Sequence, residues 1–223
     1  MNPEVHQVIY QYSLWVINNF YLDHIAFNGA PGKGLEITRE EKKDKADFEF
    51  DKVFQPTSKQ SEVFDEVQQL VRSSLDGYNV CIFAYGQTGS GKTFSMEGPD
   101  DVDDTTKGII PRSFDYLIDT IEQAKEKGWT YELEASYLEI YCEELRDLCA
   151  PTPDGKKLDI IASGSNSKHI NVQHLSSHKV TNQAQINNLI KRAKKRRATA
   201  ATNCNERSSR SHSGKHNSFL LLS

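Results

Sequence analysis

From Asp47 to Phe54 the chain reads DFEFDKVF, an alternation of polar and apolar residues that predicts a half-buried strand, and Pro56 stops it. Val63, Phe64, Val67, Leu70, Val71 and Leu75 then recur at helical spacing. They predict a helix with one buried stripe, opened by a capping box of Thr57 with Gln60 and closed at Asp76-Gly77. The run NVCIFAY, Asn79 to Tyr85, is continuously apolar and predicts a short strand covered on both faces. After a glycine-rich loop, a helix is predicted to begin near Lys92. EGPDDVDDTTKG interrupts it as a solvated acidic loop, and IIPRSFDYLIDTIEQAKEKG resumes the helical period as far as Gly128. The first part of WTYELEASYLEIYCEELRDL reads as a long strand. Pro151 to Val180 is polar with short strand candidates in LDIIA and HINV. Asn182 with Gln185 then caps a helix whose apolar stripe is Ile186, Leu189, Ile190 and Ala193. Residues 28–46, polar with Gly and Pro, read as a loop or linker. The N-terminal VIYQYSLWVINNFYLDHIAF reads as an amphipathic helix or a buried strand. It is too polar for a membrane span and has no Lys or Arg before it to make a signal peptide. Strands alternating with helices predict an α/β fold, a sheet covered by helices, with no internal repeat.

Composition narrows this only slightly. With 223 residues, 37% hydrophobic and 26% charged, the chain fits one domain or a large piece of one, and the composition is that of a packed core and not of global disorder. A net charge of -4 gives no overall basic field, so no nucleic-acid partner is expected, and no membrane partner either. Cys81, Cys142, Cys149 and Cys204 form no CxxC pair and no metal spacing. They read as reduced thiols of an intracellular protein, with Cys81 inside the apolar strand.

The chemistry concentrates in two places. Gly86-Gln87-Thr88-Gly89-Ser90-Gly91-Lys92-Thr93 fits G-x-x-x-x-G-K-[ST], the phosphate loop. Gly86, Gly89 and Gly91 permit positive φ and let backbone N–H groups approach a polyphosphate closely. Lys92 is placed to neutralise the β and γ phosphates, and Thr93 to offer its hydroxyl to Mg²⁺. An ordinary Gly-rich turn would give the same letters, but here an apolar run leads in and a helix leads out, the context the motif requires. A phosphate loop alone names no reaction, because phosphoryl transfer also needs a second metal handle and a group that positions the nucleophile. The second stretch is NERSSRSHS, Asn205 to Ser213. It reads either as a polar surface loop or as a switch loop whose hydroxyls reach the γ-phosphate, Mg²⁺ or the attacking water.

Two other features read more simply. Asp159 in LDII and Asp119 in YLID follow apolar residues as a metal-handle aspartate does, but one falls in the polar segment and the other on a helix, so both read as structural. KRAKKRR, Lys191 to Arg197, has the composition of a nuclear signal and also of a solvated helix end opposing the helix dipole, and the second reading is preferred.

Taken in order, FDKVF, DGYNVCIFAYGQTGSGKTFSMEG, GIIPR, YLEIYCEELRDL and NERSSRSHS resemble the kinesin motor domain over about Phe48 to Ser213. The wording around the phosphate loop and in GWTYELEASYLEIY is most similar to minus-end-directed kinesins that carry the motor at the C-terminus. The resemblance implies a P-loop NTPase of the kinesin motor type, with a central mixed sheet flanked by helices. It further implies an ATP-driven microtubule motor, acting on the cytoskeleton in the cytoplasm and on the spindle. Gly86 to Thr93 would bind ATP, with Lys92 on the phosphates and Thr93 on Mg²⁺. Asn205, Ser208, Ser209 and Arg210 would form the first switch, Ser209 touching Mg²⁺ or the lytic water and Arg210 latching to the second switch. The segment from about Lys156 to Val180 corresponds to a lobe with microtubule contacts in the family, where Lys168 and His169 are the candidates.

The pattern is incomplete. The family's opening Arg-x-Arg-Pro strand, its Asp-Leu-Ala-Gly-Ser-Glu second switch and its main microtubule-binding helix have no counterpart in these residues. The expected organisation is therefore a divergent N-terminal segment and linker at 1–46, a partial motor domain at 47–213 and a divergent tail at 214–223. Arg210 would lack its carboxylate partner, and sheet edges would stand open. Dimerisation would need segments not present here. The rival reading is a nucleotide- or microtubule-binding module without turnover. An unrelated phosphate-loop kinase or GTPase would need an acceptor site or Asn-Lys-x-Asp, and neither appears in the sequence.

Overall fold

The computed structural model describes residues 14–16, 25–26, 33–39, 44–86, 89–101, 103–141, 144–150, 156–162, 170–204 and 217–222. They fall into two compact units, Met1–Leu117 and Ile118–Ser223, and the boundary lies within one helix.

In the first unit, strands β1 (Leu14–Val16), β2 (Ile25–Ala26), β3 (Gly34–Arg39), β4 (Asp44–Glu49) and β5 (Lys52–Phe54) precede three helices, α1 (Gln60–Leu75), α2 (Lys92–Glu97) and α3 (Ile109–Lys125). β1 runs parallel to β5, with Trp15 opposite Val53. Within the expected linker at 28–46, Gly34–Arg39 form β3 instead, paired antiparallel with β4 from Gly34↔Glu49 to Arg39↔Asp44. The polar letters of GLEITR hide an alternation in which Leu35 is fully buried with Val53 and Ile37, two residues on, is partly buried against the same cluster. The single strand expected over Asp47 to Phe54 is broken between Glu49 and Lys52 into β4 and β5.

The α1 stripe is as expected in part. Val63, Phe64, Val67 and Val71 are buried, while Leu70 and Leu75 are half-buried at its margin. Its N-cap is Lys59, not Thr57: the Lys59 N–H donates to Glu62 Oε2 at 3.3 Å, which fills the reciprocal half of a capping box two residues later. Gln60, expected to serve that cap, is buried for another purpose described below. Asp76 closes the helix and Gly77 takes φ +90°, the left-handed turn that glycine allows.

The run Asn79–Tyr85 is not a buried strand. It carries no strand hydrogen bonds, Phe83 is 75% exposed and Tyr85 99%, and Cys81 is exposed. An interior strand is held by neighbours on both edges, and among the described residues none lies beside this run. Its apolar composition states what would be buried but cannot supply the strands that bury it.

The acidic loop between α2 and α3 is exposed yet ordered. Asp103 Oδ1 accepts from Thr105 N, Thr105 Oγ1, Thr106 N and Thr106 Oγ1 at 2.7–2.8 Å. Lys107 Nζ bridges Asp104 and Asp115, and the Arg112 guanidinium donates to the carbonyls of Asp104, Thr105 and Lys107. The Thr105 hydroxyl, followed by the Thr106 donors, holds the Asp103 carboxyl down at about 2. A depressed folded-state value means these bonds are fully present above the ordinary carboxylate range and are lost as pH falls through about 2. A carbon-13 titration of the Asp103 carboxyl is expected to show no transition between pH 7 and pH 4, a window set by that value. A midpoint near the usual 3.9 would contradict the turn.

In the second unit, β6 (Glu134–Tyr141), β7 (Glu144–Asp147), β8 (Asp159–Ala162), β9 (Ile170–Gln173), β10 (His178–Lys179), α4 (Gln183–Cys204) and β11 (Asn217–Leu222) follow the end of α3. β6 is the organising strand: β10, β7 and β11 all pair with it antiparallel. β8 and β9 form a separate hairpin over the expected LDIIA and HINV segments. Among the described residues the strands thus form four small sheets. The expected α4 cap is present, Gln185 N donating to Asn182 Oδ1 at 3.1 Å, and Ile186, Leu189, Ile190 and Ala193 are all buried.

KRAKKRR lies in the middle of α4, not at its end, and its arginines, Arg192 exposed and Arg196 and Arg197 half-buried, are all hydrogen-bonded to the protein. Arg192 Nη2 donates to Cys149 O at 3.0 Å, Arg196 Nη1 to Asp147 O at 3.5 Å and Arg197 Nη2 to Tyr137 Oη at 3.1 Å. Arg192 and Arg196, four residues apart, share one face of the helix, and with the adjacent Arg197 they tie it to β6 and to the Asp147–Cys149 segment. No described helix is long and apolar enough to cross a membrane.

Candidate functional site

The described part of the glycine loop is Gly86, Gly89, Ser90 and Gly91, running into α2 at Lys92. Gln87 and Thr88 lie outside the described residues, as do Asn205, Ser208, Ser209 and Arg210 of the expected first switch and Lys168 and His169 of the lobe. Three loop glycines take positive φ: Gly86 at +156°, Gly89 at +82° and Gly91 at +88°. Gly91 is the N-cap of α2 in the left-handed region, so only glycine starts the helix there without strain.

Lys92 folds back over the loop, its Nζ donating to Gly86 O at 2.8 Å. That bond closes a ring of seven residues, Gly86 to Lys92, and sets an ammonium over backbone that carries no side chain at its first position. A Cβ on Gly86 would stand 2.3 Å from Ser90 Oγ. The Ser90 hydroxyl is buried and has no hydrogen-bond partner. A glycine cradle, an unsatisfied buried hydroxyl and an ammonium that can exchange a carbonyl for a stronger anion are the donor set a polyphosphate requires. Thr93, the second residue of α2, is exposed, and its hydroxyl is free of the core as a metal handle must be.

α2 is only six residues long, and residues to which the sequence assigns no such role hold it. Gln60, 8% exposed, reaches from the first turn of α1 and donates through Nε2 to Phe94 O at 2.6 Å. At the other end, Gly98 takes φ +86°, and its N–H donates to the same Phe94 carbonyl at 2.9 Å. Gly108 then passes so close that a Cβ there would meet Met96 C and O at 2.6 Å and Glu97 N at 2.7 Å. These are backbone atoms and cannot swing aside. Gly108→Ala is therefore expected to destabilise the first unit by about 1–3 kcal/mol, the cost of overpacking, read as a lower urea midpoint with unchanged slope. An unchanged midpoint would show that the loop can retreat. Gln60 was legible only as a cap, and Gly108 only as the residue before IIPR; contact across 34 residues has no local signature.

Asp119 stands exposed on α3 and Asp159 exposed on β8, where its Oδ1 accepts from Ile160 N. Among the described residues no cluster of His, Cys, Asp or Glu is arranged to hold a metal. Cys149 is buried, and that burial pushes its thiol up.

Residues 22–214 match the family model described as "Kinesin motor domain". Among curated proteins, the chain is 47% identical over 201 residues to "Carboxy-terminal kinesin 2" of Xenopus laevis, covering 85% of this chain and 31% of that protein. It is 48% identical over 170 residues to "Kinesin-like protein KIFC1" of Rattus norvegicus, covering 75% and 24%. The chain thus spans about a quarter to a third of the length of these relatives. Among solved structures, the motor domain of the Kar3-like kinesin from Ashbya gossypii superposes with a TM-score of 0.70 at 31% identity, covering 95% of this chain and 68% of that one.

Proposed function

The chain belongs to the kinesin motor-domain family, with the fold of that family's P-loop NTPases, and from that premise we propose that it binds Mg·ATP in the loop Gly86–Thr93 as part of a microtubule-stimulated ATPase. The observation that carries the reading is the loop itself: Lys92 Nζ on Gly86 O at 2.8 Å above a glycine whose Cβ would collide with an unsatisfied Ser90 hydroxyl. ATP supplies a γ-phosphoryl group open to attack by water, and Mg²⁺ offsets its charge. Lys92 exchanges the Gly86 carbonyl for phosphate oxygens, and the Ser90 hydroxyl gains the partner it lacks. Thr93 and Ser209 are assigned to Mg²⁺, Ser208 and Asn205 to the nucleotide's surroundings, and Arg210 to a carboxylate outside these residues. Microtubules are the proposed partner, and the microtubule cytoskeleton, including the spindle, the proposed location.

Titration of a fluorescent ATP analogue tests the site. One-to-one binding that weakens when EDTA removes Mg²⁺ is expected, with unlabelled ATP displacing the analogue. No binding at millimolar nucleotide would overturn the assignment.

The exposure of Phe83 and Tyr85 favours a second reading, in which these residues bind nucleotide without turning it over. A loop entered from an unpaired run is held in place less firmly than one entered from an interior strand, and transition-state stabilisation depends on that firmness.

A further inference from the structure

We propose that Gln60 is a positioning residue for the nucleotide, acting through the backbone of α2; this rests on the reading of Gly86–Thr93 as the phosphate site. Six residues are too few to hold a helix by their own hydrogen bonds. At its ends Ser95 N donates to Gly91 O and Gly98 N to Phe94 O, both at 2.9 Å, and both flanking residues, Gly91 and Gly98, are positive-φ glycines that act as swivels. Something outside the helix must set its direction.

Gln60 does this with a single short bond. Its amide is almost wholly excluded from solvent, and its Nε2 meets the Phe94 carbonyl at 2.6 Å, one residue beyond Thr93 and two beyond Lys92. α1 is a rigid base, sixteen residues long with four apolar side chains in the core, so the bond transfers the position of a stable helix to an unstable one. The Phe94 carbonyl is doubly used, by Gln60 and by Gly98 N, so the bond fixes both the axis of α2 and its last turn. Rotating α2 about its swivels would carry the Lys92 ammonium and the Thr93 hydroxyl away together. Gln60 touches neither phosphate nor metal in this scheme. It determines where the two groups that do are held.

The test uses Gln60→Met, which keeps length and volume but has no donor, and Gln60→Glu, which sets a second acceptor against the carbonyl. The affinity of the fluorescent ATP analogue is measured with Mg²⁺ and with EDTA, well below the melting temperature, beside Lys92→Ala. Gln60→Met is expected to weaken Mg-dependent binding about tenfold, the scale of one buried hydrogen bond, and Gln60→Glu to weaken it further. A residue that merely stabilises the fold would lower the melting temperature and leave the affinity of the folded protein unchanged. If wild type binds, Lys92→Ala does not, and both Gln60 variants bind within twofold of wild type, the positioning role is overturned while the phosphate site stands. If wild type itself fails to bind, the site assignment has failed and the positioning role falls with it. Should Gln60→Met prove unfolded, Gln60→Glu is read alone by the same criterion. If neither variant folds, Gln60 is an element of the fold, and the proposal is overturned in favour of that role.

Discussion

Lys92→Ala is expected to weaken Mg·ATP binding roughly 30- to 150-fold while leaving the fold intact, since hydrogen bonds to charged groups contribute about 2–3 kcal/mol. The asymmetry follows from what the ammonium does in each state. In the free loop it spans from Lys92 to a backbone carbonyl, Gly86 O, at a half-buried position. That carbonyl can turn to water when the side chain is removed, so stability changes little. With a polyphosphate present, the same ammonium faces two or three negative charges, and no other cation among the described residues of the loop can replace it. Isothermal titration at constant salt checks this, with a urea melt of the same sample. Equal affinities for wild type and variant would place the nucleotide elsewhere or nowhere.

The largest stability effect belongs to Arg197. Glu139 is wholly buried in the centre of β6, and the Arg197 guanidinium lies over the Tyr137 ring, 5.7 Å from its centroid, with Nε 3.8 Å from Glu139 Oε1. Removing one partner of a buried ion pair leaves the other charge in a low-dielectric interior, at about 3–5 kcal/mol. Arg197→Met keeps much of the aliphatic stem, so its cost isolates the charge from the packing. A loss of that size corresponds to a fall in melting temperature of roughly 10 °C in a chain of this length. Glu139→Gln in the same chain removes the buried charge, and the double variant is expected to recover more than half of the loss. Additive losses in the double-mutant cycle would mean that the two groups do not interact.

These two sites differ in how far the letters alone reveal them. The loop is written contiguously, each glycine and Lys92 at a fixed spacing, because a phosphate is small and its cradle is local. The stripes of α1 and α4 are legible for the same reason: burial repeats every three or four residues. Long-range relations are not. Arg197 reads as one more cation in KRAKKRR until β6 is folded beneath it, sixty residues away in sequence. Gln60 reads as a cap until Phe94 O is found 2.6 Å from its amide. GLEITR reads as linker because four of its six letters are glycine or polar, although Leu35 is one of the most buried residues in the chain. The opposite error occurs at Asn79–Tyr85, where composition alone predicts a strand whose neighbours are not among the described residues.

The most direct test of the account is ATP turnover by this chain, titrated with polymerised tubulin, for wild type and for Lys92→Ala. A kinesin-type ATPase predicts turnover that rises with microtubule concentration to a plateau and vanishes in the variant. Turnover that stays at the buffer level at every tubulin concentration, in a sample with nucleotide bound, would contradict it and leave a binding module in its place.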